Sequence, residues 1–332
     1  MSKRSPYWRP FSARTPLGYA VAGHFNTEPG PNYGSLRFTQ VDGPLLRPFV
    51  SPGLPSFRQA PSIGSALPLG DGLVDLRAVE RLDGTPVAFY PLFDADGALV
   101  EVVPRTRDSV VAADTPWRPL ATLVGQARHA GIEEAVRRQR GVFVFQLVGT
   151  ANARLVSYPF RLRLVLSCVL RGTGRIFATY TQMRSWSNQY GLDLPTTYAE
   201  FDRQLDAATL DAQAAEILRT INGEARTAAL GRFSSSGMMI WASERSACAM
   251  LDLPAQLQAE AGALNPIAIW DSMAALADHG VIPTREQVLQ TLPQAQSGME
   301  GSLPPGFDQA WERWARAYPQ AFAHAEEARI AV

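Results

Sequence analysis

The chain has 332 residues, of which 46% are hydrophobic, and its 31 basic and 31 acidic side chains leave a formal net charge of +0 at pH 7. This length and composition exclude a largely disordered chain and predict one large domain or two smaller ones with a packed core. The balanced charge excludes a global basic field, so any contact with nucleic acid requires a local patch.

The sequence has no feature of a membrane protein or of a secreted one. No run of roughly 18 or more apolar residues occurs, and the N-terminal segment lacks the apolar centre of a signal peptide. Cys168 and Cys248 lack the spacing of a zinc site and fit buried thiols in a reducing compartment. We therefore expect a cytoplasmic protein with no metal site and no membrane partner.

Residues 1–31 are rich in proline, glycine and aromatic residues, which predicts an irregular N-terminal arm. Arginines alternate with aromatic residues in this arm. These residues are Arg4, Tyr7, Trp8, Arg9, Phe11 and Arg14. The favoured interpretation is an arm that packs on its own domain or on another copy of the chain, as in a homo-oligomer. The alternative is an arm that stacks on nucleic-acid bases.

Residues 79–109 predict two strands joined by the turn Asp94-Ala95-Asp96-Gly97, because an Asp-Gly pair between apolar runs is a strong hairpin signal. The charged loop Arg81-Leu82-Asp83-Gly84 then lies at the mouth of a sheet. The Pro, Gly and Ser content of residues 51–72 predicts a long loop before this hairpin.

The middle of the chain predicts helices followed by a meander. Residues 117–140 have the apolar spacing of one or two helices. Residues 142–175 predict three strands: an apolar strand, a second one that runs through residue 158 after a Gly/Thr/Asn turn, and a third that ends in a glycine-containing loop.

Helical patterns dominate the last third of the chain. Residues 197–222 predict a helix that opens with a capping box of Thr197 and Glu200 and ends at Gly223. From residue 254 onward, four helical patterns separated by prolines predict a small helical C-terminal domain, and Thr284 with Gln287 forms another capping-box pattern.

Four short motifs occur in order between about residues 32 and 175. They are Arg81-Leu82-Asp83-Gly84, Thr106-Arg107-Asp108-Ser109, Phe143-Val144-Phe145-Gln146 and Asn152-Ala153-Arg154-Leu155-Val156. In order and approximate spacing they resemble the RNA ligase branch of the covalent nucleotidyltransferases, which also include DNA ligases and mRNA capping enzymes. The family's motifs there are Lys-x-Asp-Gly, Thr-Arg-Gly-Ser, Phe-x-Phe-Glu and Asn-Arg-Ile-Val. Upstream, Tyr33-Gly34 stands where the family has Arg-Gly.

The resemblance implies an α+β fold, with an antiparallel-sheet nucleotidyltransferase domain over residues 32–253. The arm of residues 1–31 would precede it, and the helical domain of residues 254–332 would follow. The resemblance also implies a nucleotide-binding cleft formed by one residue set. The set is Arg81, Asp83, Gly84, Thr106, Arg107, Gln146 and Arg154.

The departures from the family bear directly on catalysis. Arg81 replaces the lysine that takes AMP, and a guanidinium with a pKa above about 12 has no free lone pair for attack on a phosphate. Gln146 and Ser236 replace two glutamates, so the resemblance leaves no catalytic residue at these positions. The family's final Lys-x-Lys strand falls near residues 247–250, which contain no cation. The chain's only lysine is Lys3, which either codon bias or selection against lysine modification explains.

Three functions remain open. The sequence does not decide whether the protein is an enzyme, but the loss of the lysine favours a protein without catalytic activity. The first is a pseudoenzyme that binds a nucleotide such as ATP without covalent adenylylation, an RNA end or a protein partner. The second is an enzyme that transfers a nucleotidyl group without a lysine intermediate. The third is an architectural component of a phage particle or a multi-subunit assembly. A cleft mouth at Arg81, Arg107 and Arg154 that is open and positive favours the first, and a filled one the third.

Overall fold

The computed structural model describes most of the first 254 residues and a few short stretches beyond them. The described residues are 7–30, 32–55, 57, 73–115, 118–152, 154, 156, 158–172, 176–202, 205–228, 237–244, 248–254, 273, 284, 285, 287 and 307–317. Within them, strands form three antiparallel sheets and helices pack around them, which gives an α+β architecture. The predicted fold class is confirmed.

The first sheet is a meander with strand order β1-β2-β3-β4. Its strands are β1 (Trp8–Arg14), β2 (Ala20–Asn26), β3 (Leu36–Val41) and β4 (Pro44–Ser51). The prediction of an irregular arm is therefore wrong for residues 8–26. Phe11 and Phe38 meet edge to face on the buried side of this sheet, with ring centroids 5.5 Å apart. The proline- and glycine-rich composition gave no local sign of this hairpin, in which β1 pairs with β2 and β2 pairs in turn with β3. Such pairing within a sheet can override a weak local pattern.

The hairpin predicted around Asp94-Ala95-Asp96-Gly97 is confirmed. Strand β5 (Leu73–Glu80) precedes the charged loop, and strands β6 (Thr85–Phe93) and β7 (Leu99–Arg105) pair across the predicted turn. Asp94 Oδ1 accepts hydrogen bonds from the backbone N–H groups of Asp96 at 3.0 Å and Ala98 at 2.8 Å. This carboxylate therefore orders the turn, as such side chains commonly do.

The second sheet has strand order β10-β9-β8-β6-β7. Its further strands are β8 (Val142–Val148), β9 (Arg163–Arg171) and β10 (Ile176–Phe177). β8 pairs directly with β9, so the meander prediction is wrong in its middle strand. The connection instead begins with a short 3₁₀ helix at Thr150–Asn152.

The third sheet has strand order β11-β5-β12-β13. Its further strands are β11 (Thr197–Glu200), β12 (Gly237–Glu244) and β13 (Cys248–Pro254). The helix predicted to open at Thr197 is wrong there, because Thr197–Glu200 pairs with β5. The helix begins later, after Asp206, whose Oδ1 accepts a hydrogen bond from Thr209 N at 2.8 Å, and it runs past Gly223.

Five helices have bounds that lie within the described residues. They are α1 (Leu120–Ala127), α2 (Ala130–Gln139), α3 (Tyr180–Tyr190), α4 (Ala207–Ala228) and α5 (Phe307–Ala317). The first two confirm the helical prediction for residues 117–140. None of the helices in the described part of the chain is long and apolar enough to span a membrane.

The predicted C-terminal helices fall mostly outside the described residues. Helix α5 lies within one of them. At the start of another, Thr284 N donates to Gln287 Oε1 at 3.0 Å and Gln287 N donates to Thr284 Oγ1 at 3.2 Å. This reciprocal pair confirms the predicted capping box.

Helices cover one face of the five-stranded second sheet, and the first sheet packs on the other. On the helix side, the ring centroid of Phe143 lies 5.6 Å from that of Trp186 in α3. On the opposite side, Tyr90 stacks on Phe38 of β3 at 5.6 Å. Side chains alternate along a strand, so Gln146 of β8 lies on the same side as Tyr90, away from the helices.

Candidate functional site

The charged loop of residues 81–84 crosses from one sheet to another. It leaves β5 of the third sheet and enters β6 of the second. Beside it lies a cavity of about 80 Å³ between these two sheets. Six of the side chains that line the cavity carry polar groups. They are Glu80, Arg81, Gln146, Ser167, Trp241 and Asp252.

Arg81 is held in an ion pair. Its Nε donates to Asp252 Oδ1 at 2.8 Å, and the two side chains are only 18% and 13% exposed. Asp252 lies on β13, next to β12 in the third sheet. The cation at this position therefore faces an anion of the same chain across the cavity wall.

The sequence alone did not indicate Asp252 as a partner. The residue stands 171 positions from Arg81, and nothing local links the two. A signal was nevertheless present, because Asp252 interrupts the apolar strand Ala249-Met250-Leu251-Asp252-Leu253. An acidic residue inside an apolar strand usually has a partner.

Three buried polar atoms on the cavity wall have no hydrogen-bond partner among the described residues. They are Gln146 Oε1, Ser167 Oγ and Trp241 Nε1. The Trp241 side chain belongs to a residue that is only 1% exposed. Because an unpaired buried polar atom is costly, this cavity wall is suited to a polar ligand that supplies both a donor and an acceptor.

Asp83 and Arg154, two of the predicted site residues, form a second, deeper ion pair. Arg154 Nε donates to Asp83 Oδ1 at 3.0 Å, and their side chains are 7% and 2% exposed. Val156 N donates to Asp83 Oδ2 at 2.8 Å, and the backbone N–H of Asp83 donates to Tyr158 Oη at 2.9 Å. These contacts fasten the segment after β8 to the charged loop.

Gly84 lies where the backbones come closest. A Cβ at this position would lie 2.7 Å from both the carbonyl oxygen of Leu147 and Cγ1 of Val148. The position therefore requires glycine because of a close approach and not because of an unusual backbone angle.

Replacing Gly84 with alanine should lower the free energy of unfolding by about 1 to 3 kcal/mol, because the new methyl group overpacks a contact with backbone atoms. Urea denaturation of the purified variant measures this loss. Gly125→Ala in α1 is the matched control, since a Cβ there meets nothing within 4 Å and alanine favours a helix. An equal effect of the two substitutions would contradict the close approach.

Thr106 and Arg107 lie in a separate cluster with the Tyr33-Gly34 step. Thr106 N donates to Ser109 Oγ at 3.0 Å, and the Arg107 guanidinium lies 5.3 Å from the centroid of the Tyr33 ring. A hydrogen bond to Asp108, helped by burial, raises the pKa of Tyr33 to about 12. Two of the segments that carried the resemblance therefore meet here, but they do not line the cavity.

The three arginines expected at the cleft mouth do not form an open cationic rim. Arg81 and Arg154 are each paired with a carboxylate, and Arg107 stacks on Tyr33. Ser236 lies outside the described residues. The glycine that follows it begins β12, and the carbonyl of Gly237 accepts a hydrogen bond from Arg81 N at 3.0 Å.

Glu80 borders the cavity, and burial raises the pKa of its carboxyl group, although hydrogen bonds from Thr196 act in the opposite direction. A carboxyl group with a raised pKa contributes stability at low pH that is lost as the pH rises above its ordinary value of 4.5. Glu80→Gln should therefore unfold at a higher denaturant concentration than the wild type at pH 7, and the difference should shrink toward pH 4. A constant difference across this range would contradict the buried carboxyl group.

Solved structures resemble this chain in fold. Two forms of an archaeal ATP-dependent RNA ligase match with TM-scores of 0.54 and 0.53 at 16% identity, and each match covers 97% of this chain and 75% of the other. A protein from Aquifex aeolicus that is assigned as an ATP-dependent DNA ligase matches with a TM-score of 0.51 at 12% identity, over 96% of this chain and 76% of the other. The chain has a fold like that of these RNA and DNA ligases. No family model and no curated protein matches the sequence.

This ligase-like fold confirms the resemblance drawn from the four motifs. At 12–16% identity the likeness concerns the fold alone. The charged loop, the cavity and the ion pair between Arg81 and Asp252 are features of this chain, and its function must be argued from them.

Proposed function

We propose that the protein is a catalytically degenerate RNA ligase-like protein that acts by binding, in a regulatory or structural role, and forms no covalent nucleotide intermediate. The observation that carries the proposal is the ion pair of 2.8 Å between Arg81 and Asp252. A guanidinium is not a nucleophile, and a neighbouring carboxylate stabilises its protonated form. Gln146, on the same cavity wall, brings no negative charge to hold a metal ion.

The proposed ligand is a nucleotide or a nucleic-acid end bound without reaction. ATP is the first nucleotide to consider, because the similar RNA and DNA ligases are described as ATP-dependent. The unpaired atoms of Gln146, Ser167 and Trp241 support a polar ligand at the cavity. The proposed nucleotide-binding residues remain Arg81, Asp83, Gly84, Thr106, Arg107, Gln146 and Arg154.

An architectural role is the second candidate, and the cavity volume favours it. About 80 Å³ is far below the roughly 300 Å³ at which ligand pockets usually begin. A nucleotide would therefore have to separate Arg81 from Asp252 and widen the cavity. A subunit of a phage particle or of another assembly would not need this change.

Non-covalent nucleotidyl transfer is the third candidate, and no contact favours it. It would need a general base or a metal-binding carboxylate at the cavity. Asp83 and Asp252 are both held in ion pairs with arginines.

Thermal unfolding in the presence of ATP, GTP, NAD and a 5′-phosphorylated RNA tests the proposal, with calorimetric titration as the second readout. A ligand at about 100 times its dissociation constant should add roughly 2.7 kcal/mol of stability. The binding role predicts saturable stabilisation by at least one of these ligands and its loss in Arg81→Ala. No stabilisation by any of them would overturn the ligand-binding role and favour the architectural one.

A further inference from the structure

A second feature lies outside the cavity, at the start of β9. It consists of Phe160, Arg161 and Arg163, which we term the basic ridge. Arg161 and Arg163 are exposed, and Phe160 is half-buried. The Arg163 guanidinium lies 4.4 Å from the centroid of the Phe160 ring. None of the three residues belongs to the motifs that carry the family resemblance.

The backbone of the basic ridge is fixed by the turn that follows β8. Thr150 N donates to the Phe160 carbonyl at 3.0 Å, and Ala151 N donates to the Arg161 carbonyl at 2.9 Å. Gly149 permits this approach, because its φ is +131° and a Cβ there would lie 2.4 Å from the Arg161 carbonyl oxygen. The ridge is therefore a preformed surface, which lowers the ordering cost of binding.

Strand register places the basic ridge at the same end of the sheet as the charged loop. Arg163 pairs with Val148 in β8, and Val148 lies against Gly84 on the other side of that strand. Two strand spacings of about 4.8 Å separate the backbones of Gly84 and Arg163 by roughly 10 Å.

Register also fixes the face on which Arg163 lies. Cross-strand partners share a face, so Arg163 lies on the face of Val148 and of Gln146, two residues away. Gln146 lines the cavity. The basic ridge therefore borders the face on which the cavity opens.

The charges of the basic ridge are not compensated in the way those of the cavity are. Arg81 and Arg154 are paired with carboxylates. In contrast, neither Arg161 nor Arg163 forms an ion pair within the described residues. On a chain of zero net charge, the ridge is a local basic patch of the kind that contact with nucleic acid requires.

We propose that the basic ridge binds single-stranded nucleic acid. The two guanidinium groups would pair with successive phosphates, and one base would stack on the outer plane of the Arg163 guanidinium. The Phe160 ring, which also packs against Tyr158 at 5.4 Å, supports that guanidinium from below. A flexible single strand can bring its phosphates and an unstacked base to the ridge together, whereas the bases of a duplex are already stacked on one another. The proposal names the partner for the proposed binding role, and it adds a surface that lies outside the cavity.

Fluorescence anisotropy with a labelled RNA of roughly 12 nucleotides tests the ridge, since this length is within the usual site size of single-strand binders. Arg161→Ala/Arg163→Ala should weaken binding at least tenfold. It should also reduce the slope of log K against log salt by roughly 1.4, at about 0.7 for each phosphate contact. Phe160→Leu, which keeps an apolar side chain but removes the ring, should weaken binding at least fivefold.

The control is Arg137→Ala/Arg138→Ala, which removes two exposed guanidinium groups from α2, one of which pairs with Glu134 at 2.7 Å. Its affinity and salt slope should change far less than those of the ridge variant. Equal losses in the two double variants would overturn the proposal, as would undetectable binding of the wild type to RNA and DNA single strands at low salt. Binding to polyglutamate as tight as to RNA, and insensitive to Phe160→Leu, would show an unspecific anion surface and would also overturn it.

Labelled single-stranded DNA and a duplex of the same length complete the experiment. The RNA and DNA single strands should both bind more tightly than the duplex. The ratio of the dissociation constants for the RNA and DNA single strands reports whether a 2′-hydroxyl contributes. These outcomes do not depend on covalent chemistry. Absence of single-strand binding by the wild type would overturn the proposal for the basic ridge alone. Covalent attachment of a nucleotide to the protein would overturn the proposed function alone.

Discussion

Replacing Asp83 with alanine should lower the free energy of unfolding by about 3 to 5 kcal/mol, because it removes the carboxylate from a buried ion pair with Arg154. The two side chains are 2% and 7% exposed, so water cannot replace the lost carboxylate. Val156 N also loses its acceptor. Equilibrium urea denaturation followed by circular dichroism measures the loss.

Asp96→Ala is the control for this substitution. Asp96 is exposed in the turn between β6 and β7, and removal of an exposed side chain usually changes stability by about 0.5 kcal/mol or less. Asp83→Asn should lie between the two, since it keeps the shape and one acceptor. Similar stabilities of Asp83→Ala and Asp96→Ala would show that the ion pair of Asp83 and Arg154 is not buried as described.

Breaking the ion pair of Arg81 and Asp252 from one side should also be costly. Asp252→Leu should destabilise the protein by about 3 kcal/mol, because it removes the carboxylate that pairs with the largely buried charge of Arg81. Adding Arg81→Met should recover most of this loss, since apolar residues of similar size often replace buried ion pairs without cost. A double-mutant cycle on the unfolding free energies measures the coupling.

The same cycle discriminates a true pair from two independent side chains. Strictly additive losses in the double variant would contradict the contact between Arg81 and Asp252. Recovery of stability in the double variant would show that the ion pair is not needed for folding. Its importance would then lie in its effect on the chemistry of the cavity.

The elements whose structure is determined by a few neighbouring residues were predicted correctly from the sequence. The hairpin of β6 and β7 follows from its Asp-Gly turn, and the capping box at Thr284 follows from the spacing of two polar side chains. The antiparallel architecture came from the four motifs and their order. In these cases the information lies within a few residues or in a recognisable series of motifs.

Contacts between distant segments were not predictable in this way. The strand at Thr197–Glu200 carries the pattern of a helix cap, yet its pairing with β5 overrides that local preference. The first hairpin depends likewise on its neighbours in the sheet. Asp252 became a site residue only through the topology that places β13 beside β12 in the sheet of β5.

The charge balance of the site illustrates the same limit. The resemblance to the ligase family placed Arg81 and Arg154 among the candidate nucleotide-binding residues. The structure pairs each of them with a carboxylate. Whether a cation is available to a ligand depends on its three-dimensional neighbours, which its own segment does not specify.

On the proposed function, the cavity beside Arg81 forms no covalent nucleotide intermediate. Intact-protein mass spectrometry after incubation with ATP and Mg²⁺ tests it most directly, with a lysine-bearing RNA ligase as the positive control. We expect the wild-type mass to stay unchanged while the control gains one AMP. An AMP adduct on the wild-type protein, mapped to the peptide that contains Arg81 or to another residue of the cavity, would contradict the account.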